Sequence, residues 1–288
     1  MAKNIQNRRL RAEDLIPRTG KFIDVFDGKR AISRFGAGDS SYTPALIRSR
    51  DQDAFFERLL EEVAFVQMFN MLDEQRVDPL PRLVAAQTDR SEPTAPIYRM
   101  PACNESNIQT RQWTPAVSEV RDAVSAAIKQ PLNHVVGLLY FDEQDSLAFH
   151  HDKVLDLDEE SLIVNVSFGA ARPIVFRERE GRRSQTIVLQ PGSMLVLGPQ
   201  TNRRFVHSVP KLFAPTGPRL SLSLRHTRSF VDQSADTIHG KGEAHQTLNY
   251  PFIQSHDDPS RYSDELRRQI AAHTARAQER LRALRATV

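Results

Sequence analysis

The amino-acid sequence predicts an α+β protein built around a β-sandwich or jelly roll. From residue 133 onward, seven short apolar runs follow one another, separated by turn residues such as Gln190-Pro191-Gly192. This spacing is typical of an antiparallel sandwich or jelly roll, and the absence of alternating helices argues against βαβ units. The 288 residues are 40% hydrophobic and 26% charged, an ordinary globular composition. The predicted strands are residues 134–141, 161–169, 173–178, 185–190, 193–198, 204–209 and 219–226.

The first fifty residues are predicted to form a basic, irregular arm. They contain a cluster of turn formers at 36–41 and show no clear periodicity. We expect one strand in this arm, at Lys21–Phe26.

Two helices are predicted between the arm and the strands. The first, Asp51–Phe69, rests on apolar residues that recur at helical spacing and form one stripe. The stripe consists of Phe55, Phe56, Leu59, Leu60 and Val63. The second helix, Pro115–Gln130, begins with Thr114 as a suitable cap and Pro115 in the first turn.

After residue 228 the sequence becomes polar and irregular, and it ends in a predicted basic helix from Ser263 to Ala286. We therefore divide the chain into a basic N-terminal arm (1–50), a main domain (51–230) and a C-terminal extension with a basic helix (231–288).

The charge distribution is more informative than the net charge of +3. Residues 1–30 carry +4 and residues 264–285 carry +3, which leaves −4 for the rest of the chain. Bulk positive charge therefore does not hold a ligand in the middle of the chain. Charge-rich helix faces usually face water, so the basic helix is either a solvated surface helix or a contact for phosphate groups.

Several protein classes are excluded at this stage. No apolar run approaches the roughly 18 residues that cross a bilayer, and the first residues lack the apolar core of a secretory signal. Cys103 is the only cysteine, which excludes an internal disulfide and a cysteine-based zinc cluster. We expect an intracellular protein of the cytoplasm or nucleus.

The phosphate-binding, dinucleotide-binding and H-E-x-x-H motifs are absent from the sequence. The acidic run Asp156–Glu160 is predicted to be a solvated loop.

A metal site is indicated by His150 and Asp152. In an extended segment these two residues point to the same face, and a third ligand must come from another strand. His207, within a later predicted strand, is the candidate. Two histidines and one carboxylate are the ligands of non-haem Fe(II) oxygenases, although a pattern as short as H-x-D is also common among surface and packing histidines.

The strand at 219–226 strengthens the metal hypothesis. Arg219, Ser221, Ser223 and Arg225 share one face of this strand, and Leu220, Leu222 and Leu224 share the other. A planar guanidinium pairs bidentately with a carboxylate, so an arginine on the polar face suits a dicarboxylate co-substrate. The alternative is an edge strand with solvated arginines.

Taken together, these segments resemble the AlkB family of Fe(II)/2-oxoglutarate dioxygenases. The resemblance covers about residues 79–228 and rests on several landmarks in the same order. These are Pro81-Arg82-Leu83, Tyr98, Trp113-Thr114-Pro115, G-LLYF-(x8)-HHD at 137–152, IVNVSFGAARPIVFR at 163–177, PGSMLVLGPQTNRRFVHSVP at 191–210 and PRLSLSLRHT at 218–227.

The resemblance implies a double-stranded β-helix, with Fe(II) held by His150, Asp152 and His207, and with 2-oxoglutarate and O2 as co-substrates. It implies that Arg219 and Tyr140 bind the distal carboxylate of 2-oxoglutarate and that Arg225 works near its metal-proximal end. The reaction implied is hydroxylation of a C–H bond, which becomes demethylation when the carbon is an N-methyl group.

Two departures concern the co-substrate site. Leu138 and Ser221 stand where many members of the family have asparagine. Ser221 is therefore a co-substrate-binding candidate in which a hydroxyl replaces an amide.

The substrate is predicted less directly. Members that act on duplex DNA have an apolar or aromatic wedge before the Pro-Arg landmark, whereas residues 74–81 contain no aromatic residue. Tyr98 and Trp113 are candidates to stack on a base, although Trp113 is equally a packing residue beside its helix. We expect demethylation of N-alkylated bases in single-stranded DNA or RNA rather than duplex, as DNA repair or RNA modification, with the basic ends contacting nucleic acid. The alternatives are the same chemistry on a protein side chain or small molecule, and an inactive binding module. The oligomeric state is left open.

Overall fold

Strands dominate the described part of the chain. The computed structural model describes residues 22–73, 75–90, 93–99, 110–232, 237–244 and 262–288, so residues 1–21 of the predicted arm lie outside it. The helices are α1 (Gln52–Glu62), α2 (Pro115–Ile128), α3 (Pro199–Arg204) and α4 (Asp264–Thr287). The strands are β1 (Phe22–Phe26), β2 (Ile32–Phe35), β3 (Ser40–Thr43), β4 (Val66–Asp73), β5 (Arg76–Thr88), β6 (Thr94–Ile97), β7 (Thr110–Gln112), β8 (His134–Tyr140), β9 (Leu147–His150), β10 (Ile163–Gly169), β11 (Arg172–Glu178), β12 (Arg183–Leu189), β13 (Met194–Leu197), β14 (Phe205–Val209), β15 (Arg219–Arg225), β16 (Ser229–Asp232) and β17 (Ile238–Gly240).

Two main sheets contain the seven strands that the sequence predicts, which are β8 and β10 to β15. The larger sheet has the order β2-β3-β13-β10-β15-β8-β5-β4, with β7 beside β5, and the smaller has the order β1-β12-β11-β14-β9. A third sheet, β17-β16-β6, pairs two strands that follow β15 with β6. The mixed, sheet-rich architecture that the sequence predicts is confirmed.

The two main sheets pack against each other, and α1, α2 and α4 cover the outer face of the larger sheet. Val136 and Ile163 from the larger sheet share one apolar cluster with Phe176 and Ile187 from the smaller sheet. A second cluster joins the larger sheet to buried residues of α1, α2 and α4. The alternation of β15 explains this layering, because its leucines belong to the helix-side cluster while Arg219 and Arg225 line a cavity between the sheets.

The predicted first helix is too long. The stripe of apolar residues does form α1, but the helix ends at Glu62, and Val63 is already extended, with ψ of 126°. Residues 66–69 belong to β4, which pairs antiparallel with β5. Pairing with the next strand of the hairpin outweighs the local helical pattern here.

The prediction of an irregular arm is wrong for residues 22–43. The predicted strand at Lys21–Phe26 is present as β1, and β2 and β3 extend the larger sheet through the pairing of β3 with β13. Tyr42 of β3 is 1% exposed, and its hydroxyl donates to the carbonyl of Gly28 at 3.0 Å. This segment therefore adds strands to both main sheets and two side chains, Phe35 and Tyr42, to the core.

The solvated loop predicted at Asp156–Glu160 is also partly wrong. Asp156 is 1% exposed and forms a buried ion pair with Arg99, whose Nε lies 2.9 Å from Asp156 Oδ1. Arg99 also donates to the carbonyl of Gly242 at 3.0 Å. A buried carboxylate needs such a partner, and the pair ties the loop after the metal candidates to the C-terminal extension.

The C-terminal helix forms where the sequence predicts it. The Ser263 hydroxyl accepts a hydrogen bond from the Leu266 amide at 3.2 Å and caps α4. Among the helices of the described residues, none is long and apolar enough to cross a membrane.

Candidate metal centre and adjoining pocket

The three predicted metal ligands meet at one point between the sheets. His150 ends β9, and in the antiparallel pairing of β9 with β14 it lies opposite His207, with the ring centroids 4.3 Å apart. Asp152 follows two residues later, with its Oδ1 3.7 Å from His150 Nε2. Ligand atoms of all three residues lie within 4.8 Å of one another. This donor set fits a divalent transition metal and leaves further coordination positions for other ligands.

Hydrogen bonds fix the orientation of two of these ligands. His150 Nδ1 lies 2.9 Å from the carbonyl of Ala148. A carbonyl can only accept, so Nδ1 carries the proton and Nε2 is free to bind a metal. The backbone amide of Asp152 donates to Asn202 Oδ1 at 2.9 Å, and Asn202 Nδ2 donates back to the Asp152 carbonyl at 2.9 Å.

The electrostatics favour the ligand forms that a metal requires. Burial lowers the pKa of His207 to about 4, against the opposing effect of Asp152. Burial would raise the pKa of Asp152, but His207, Arg225 and His150 outweigh it and the pKa lies below its ordinary value. At neutral pH the imidazole of His207 is neutral and Asp152 is ionised, which is the state that binds metal.

The cavity beside these ligands has a volume of about 250 Å³ and contains two buried arginines. Arg219 is 1% exposed and lies opposite Tyr140 in the pairing of β15 with β8. One of its terminal nitrogens donates to Ser167 Oγ at 2.8 Å and to Asn165 Oδ1 at 3.2 Å. Its Nε and its other terminal nitrogen have no hydrogen-bond partner among the described residues. A buried guanidinium with free donors fits an anionic ligand.

Arg225 lies at the other end of the same strand face. It is 2% exposed, and its guanidinium lies 3.9 Å from the centre of the Tyr98 ring. Its Nε and one terminal nitrogen also lack a hydrogen-bond partner within the described ranges. Arg219 and Arg225 line one cavity with the three metal candidates. Because the two arginines lie on the same face of β15, they reach a single site.

Asn165 of β10 is a site residue that the sequence analysis missed. Its side-chain amide donates to Ser221 Oγ at 2.5 Å and to Ser223 Oγ at 3.0 Å, and its oxygen accepts from Arg219. Ser221 is therefore at the predicted site, but its hydroxyl is bound to Asn165. A neighbouring strand supplies the amide that is absent at Leu138 and Ser221.

Of the two stacking candidates, only Tyr98 is at the cavity. Tyr98 is 2% exposed and lines the cavity beneath Arg225, and burial raises its pKa above the ordinary value. Trp113 is not among the lining residues. Its ring packs against the helix-side core, its Nε1 donates to Asp89, and the Arg121 guanidinium lies 5.0 Å from the ring centre. The packing interpretation of Trp113 is the one that the structure supports.

Comparisons with known proteins agree with this geometry. A profile of the 2OG-Fe(II) oxygenase superfamily matches residues 39–229. The chain is 35% identical to the bovine DNA oxidative demethylase ALKBH2 over 126 residues, which are 41% of this chain and 45% of that protein. It is 30% identical to human ALKBH2 over 202 residues, covering 65% of this chain and 72% of that protein. It is 25% identical to bovine alpha-ketoglutarate-dependent dioxygenase alkB homolog 3 over 191 residues, covering 63% and 64% respectively. The chain thus spans a little under half the length of bovine ALKBH2.

Proposed function

Because the chain belongs to the 2OG-Fe(II) oxygenase superfamily, we propose that it is an AlkB-like dioxygenase that demethylates N-alkylated bases in nucleic acid. Single-stranded DNA or RNA is the preferred substrate in this proposal. The observation that carries it is the convergence of His150, Asp152 and His207 within 4.8 Å, beside a cavity with two buried arginines. The relatives ALKBH2 are named as DNA oxidative demethylases.

In this function His150, Asp152 and His207 hold Fe(II). Bound with 2-oxoglutarate and O2, the iron supplies C–H hydroxylation coupled to decarboxylation of 2-oxoglutarate to succinate, and a hydroxylated N-methyl group is lost as formaldehyde. Two of the ligands are in the protonation state that binds metal, because Asp152 is ionised and His207 is neutral at neutral pH.

Arg219 and Tyr140 bind the distal carboxylate of 2-oxoglutarate. Burial lowers the pKa of Arg219 to about 10, so the guanidinium is still charged at neutral pH. Its Nε and one terminal nitrogen have no partner among the described residues and are available to donate to an anionic ligand. Arg225, which lies over the Tyr98 ring and helps to lower the pKa of Asp152, adds positive charge at the other end of the cavity.

The nucleic-acid substrate is supported by an aromatic side chain beside the metal ligands. Phe149 directly precedes His150 and is 39% exposed, although most large apolar side chains of the described residues are buried. The guanidinium of Arg177 lies 4.2 Å from the centre of its ring. An exposed ring with a neighbouring cation is a common arrangement for stacking bases and neutralising phosphates of single strands.

The preference for single strands is supported by the hairpin of β4 and β5. Its aromatic residue, Phe69, is 7% exposed and packs with Val77 and Leu266 of α4, away from the hairpin tip. The tip itself carries the ion pair between Asp73 and Arg76, at 2.7 Å. An aromatic side chain that could replace a flipped base is therefore not presented there.

Two measurements test the proposal in sequence. Anaerobic Fe(II) and 2-oxoglutarate should give a visible charge-transfer band that Asp152→Ala abolishes. Asp158→Ala, which removes an exposed carboxylate of the following loop, should keep the band. A parent protein without the band would overturn the dioxygenase assignment.

Formaldehyde release from methylated single-stranded DNA, RNA and duplex oligonucleotides then tests the substrate. Release from single strands at least about tenfold faster than from duplex is expected, because duplex substrates add the cost of extruding a base. Succinate formation that no oligonucleotide stimulates would indicate a protein or small-molecule substrate instead. Faster duplex turnover that Leu72→Ser abolishes would overturn the single-strand preference, since Leu72 is an exposed apolar side chain next to the hairpin tip, at 58%.

A further inference from the structure

A further buried arginine, Arg172, lies near the cavity residue Tyr140 but does not line the cavity. Arg172, the first residue of β11, is 0% exposed. Its guanidinium donates to the backbone carbonyls of Asp142, Asp145 and Pro210, each at 2.8 Å. Asp142 and Asp145 belong to the turn that follows β8, so Arg172 joins that turn to the chain after β14.

Tyr140, the last residue of β8, lies two positions before Asp142, and its ring is close to two guanidinium groups. The ring centre is 5.7 Å from the carbon of the Arg172 guanidinium and 5.3 Å from that of Arg219. Cations within about 6 Å of an aromatic centre are attracted to the ring face. Arg172 therefore restrains Tyr140 both through the turn and through its ring.

Burying the charged guanidinium of Arg172 is unfavourable, so other interactions must offset its loss of solvation. Burial lowers the pKa of Arg172, and the nearby Asp145, Asp142 and Glu143 favour its charged form. The hydrogen bonds found for the Arg172 side chain go to neutral carbonyls rather than to these carboxylates. Buried charges without a hydrogen-bonded counter-ion are uncommon unless they serve a site.

We propose that Arg172 is a positioning residue for 2-oxoglutarate, which holds the Tyr140 hydroxyl where the co-substrate carboxylate binds beside Arg219. The inference rests on the proposed function, because 2-oxoglutarate is there the ligand of Arg219 and Tyr140. Lysine at this position keeps the charge but not the planar fork that reaches separate carbonyls. The residue acts through Tyr140 and does not touch the co-substrate itself.

The test is an anaerobic titration of the Fe(II)-loaded full chain with 2-oxoglutarate, followed by the charge-transfer band. Arg172→Lys should raise the half-saturating concentration about three- to tenfold, and Arg172→Gln about ten- to a hundredfold, because hydrogen bonds and a cation–π contact are lost. The band at saturation should remain. In turnover, the KM for 2-oxoglutarate should rise by the same factor, with kcat changed less than about twofold.

A matched control separates positioning from general stability. Arg285 of α4 also donates to two backbone carbonyls, those of Leu60 at 2.8 Å and Val63 at 3.3 Å, on the helix side of the larger sheet. Arg285→Lys should lower the melting temperature without changing the half-saturating concentration of 2-oxoglutarate. If Arg172→Gln does not fold, Arg172→Lys provides the comparison.

A double-mutant cycle with Tyr140→Phe completes the test. Because that variant lacks the hydroxyl, Arg172→Lys should have less than about a twofold further effect on the half-saturating concentration in its background. An undiminished effect there, or an Arg172→Lys protein that binds 2-oxoglutarate like the parent, would overturn the inference. A parent protein that gives no band would instead overturn the proposed function.

Discussion

Asn202 fixes the position of the carboxylate in the candidate metal centre. It lies in α3, is 2% exposed, and exchanges two hydrogen bonds of 2.9 Å with the backbone of Asp152. Groups that orient a ligating residue typically contribute one to two orders of magnitude to metal affinity. The geometry around Asp152 therefore depends on a residue fifty positions away.

We expect Asn202→Ala to weaken metal binding about 10- to 100-fold, because the backbone of Asp152 loses both partners. Titration of the metal-free protein with Mn(II), followed by electron paramagnetic resonance, measures this change. Gln200→Ala is the control, since Gln200 is exposed on the same helix. Equal affinity of Asn202→Ala and the parent would show that α3 does not position the ligand.

The sequence predicted the site residues that sit in regular patterns and missed those that do not. His150 and Asp152 share a face because they are two apart in extended chain, and the alternation of β15 places Arg219 and Arg225 together. Asn165 reaches the site only because β10 pairs with β15. Asn202 and Arg172 likewise act through contacts between segments far apart in sequence, which local spacing does not encode.

At the scale of elements, α4 is a packed part of the fold. Its Leu266, Ala277 and Leu281 are buried, and Arg285 donates to carbonyls at the end of α1. Arg280 pairs with Asp142 at 2.7 Å, in the turn that Arg172 holds. The sequence predicted this helix from its composition. Whether it is solvated or packed depends on its contacts with the rest of the fold, which the sequence alone does not show.

Removing one apolar contact of α4 should destabilise the whole domain. Leu281 is 7% exposed in the helix-side core, so Leu281→Ala should lower the free energy of unfolding by about 2–4 kcal/mol. Urea unfolding followed by far-UV circular dichroism measures it. Arg276→Gln, at an exposed position of the same helix, should change it by less than about 0.5 kcal/mol. A Leu281→Ala protein as stable as the parent would mean that α4 is only loosely attached.

The elements that the sequence missed are those whose stability comes from pairing. β3 is a short, polar strand that gains its partner β13 about 150 residues later. β4 begins with residues that continue a helical apolar pattern, yet its pairing with β5 places Met68 and Phe69 in the core. By contrast, the seven apolar runs after residue 133 are strongly patterned, and all of them are strands.

At the scale of the whole molecule, four of the arginines of the basic C-terminal helix are engaged in ion pairs or hydrogen bonds within the protein. Arg280 contacts an acidic residue outside α4, Arg267 and Arg268 pair within the helix, and Arg285 binds carbonyls. The contact of the chain ends with nucleic acid stays a prediction, and residues 1–21 lie outside the described residues. Beside the metal candidates, Arg177 of β11 lies against Phe149 and adds a positive charge outside the cavity lining.

Buried and partly buried histidines make the stability of the metal-free molecule depend on pH. Burial lowers the pKa values of His134, His151, His207 and His226, with His134 well below its ordinary value. His134 is 0% exposed, and the charge of Arg225 lowers its pKa further. In the unfolded chain a histidine takes up a proton near pH 6.5. The unfolded state thus binds more protons, and stability falls as the pH drops below that value.

His134→Gln isolates one part of this dependence. Between pH 6 and pH 5 each histidine that is neutral when folded should contribute a slope of up to about 1.4 kcal/mol per pH unit. His134→Gln should reduce the slope by about that amount, because glutamine does not titrate, whatever its effect on stability at pH 7. Exposed His239→Gln should retain the parent slope. Urea unfolding of the metal-free proteins at several pH values gives the slopes, and an unchanged slope in His134→Gln would show that its imidazole is protonated in the folded state.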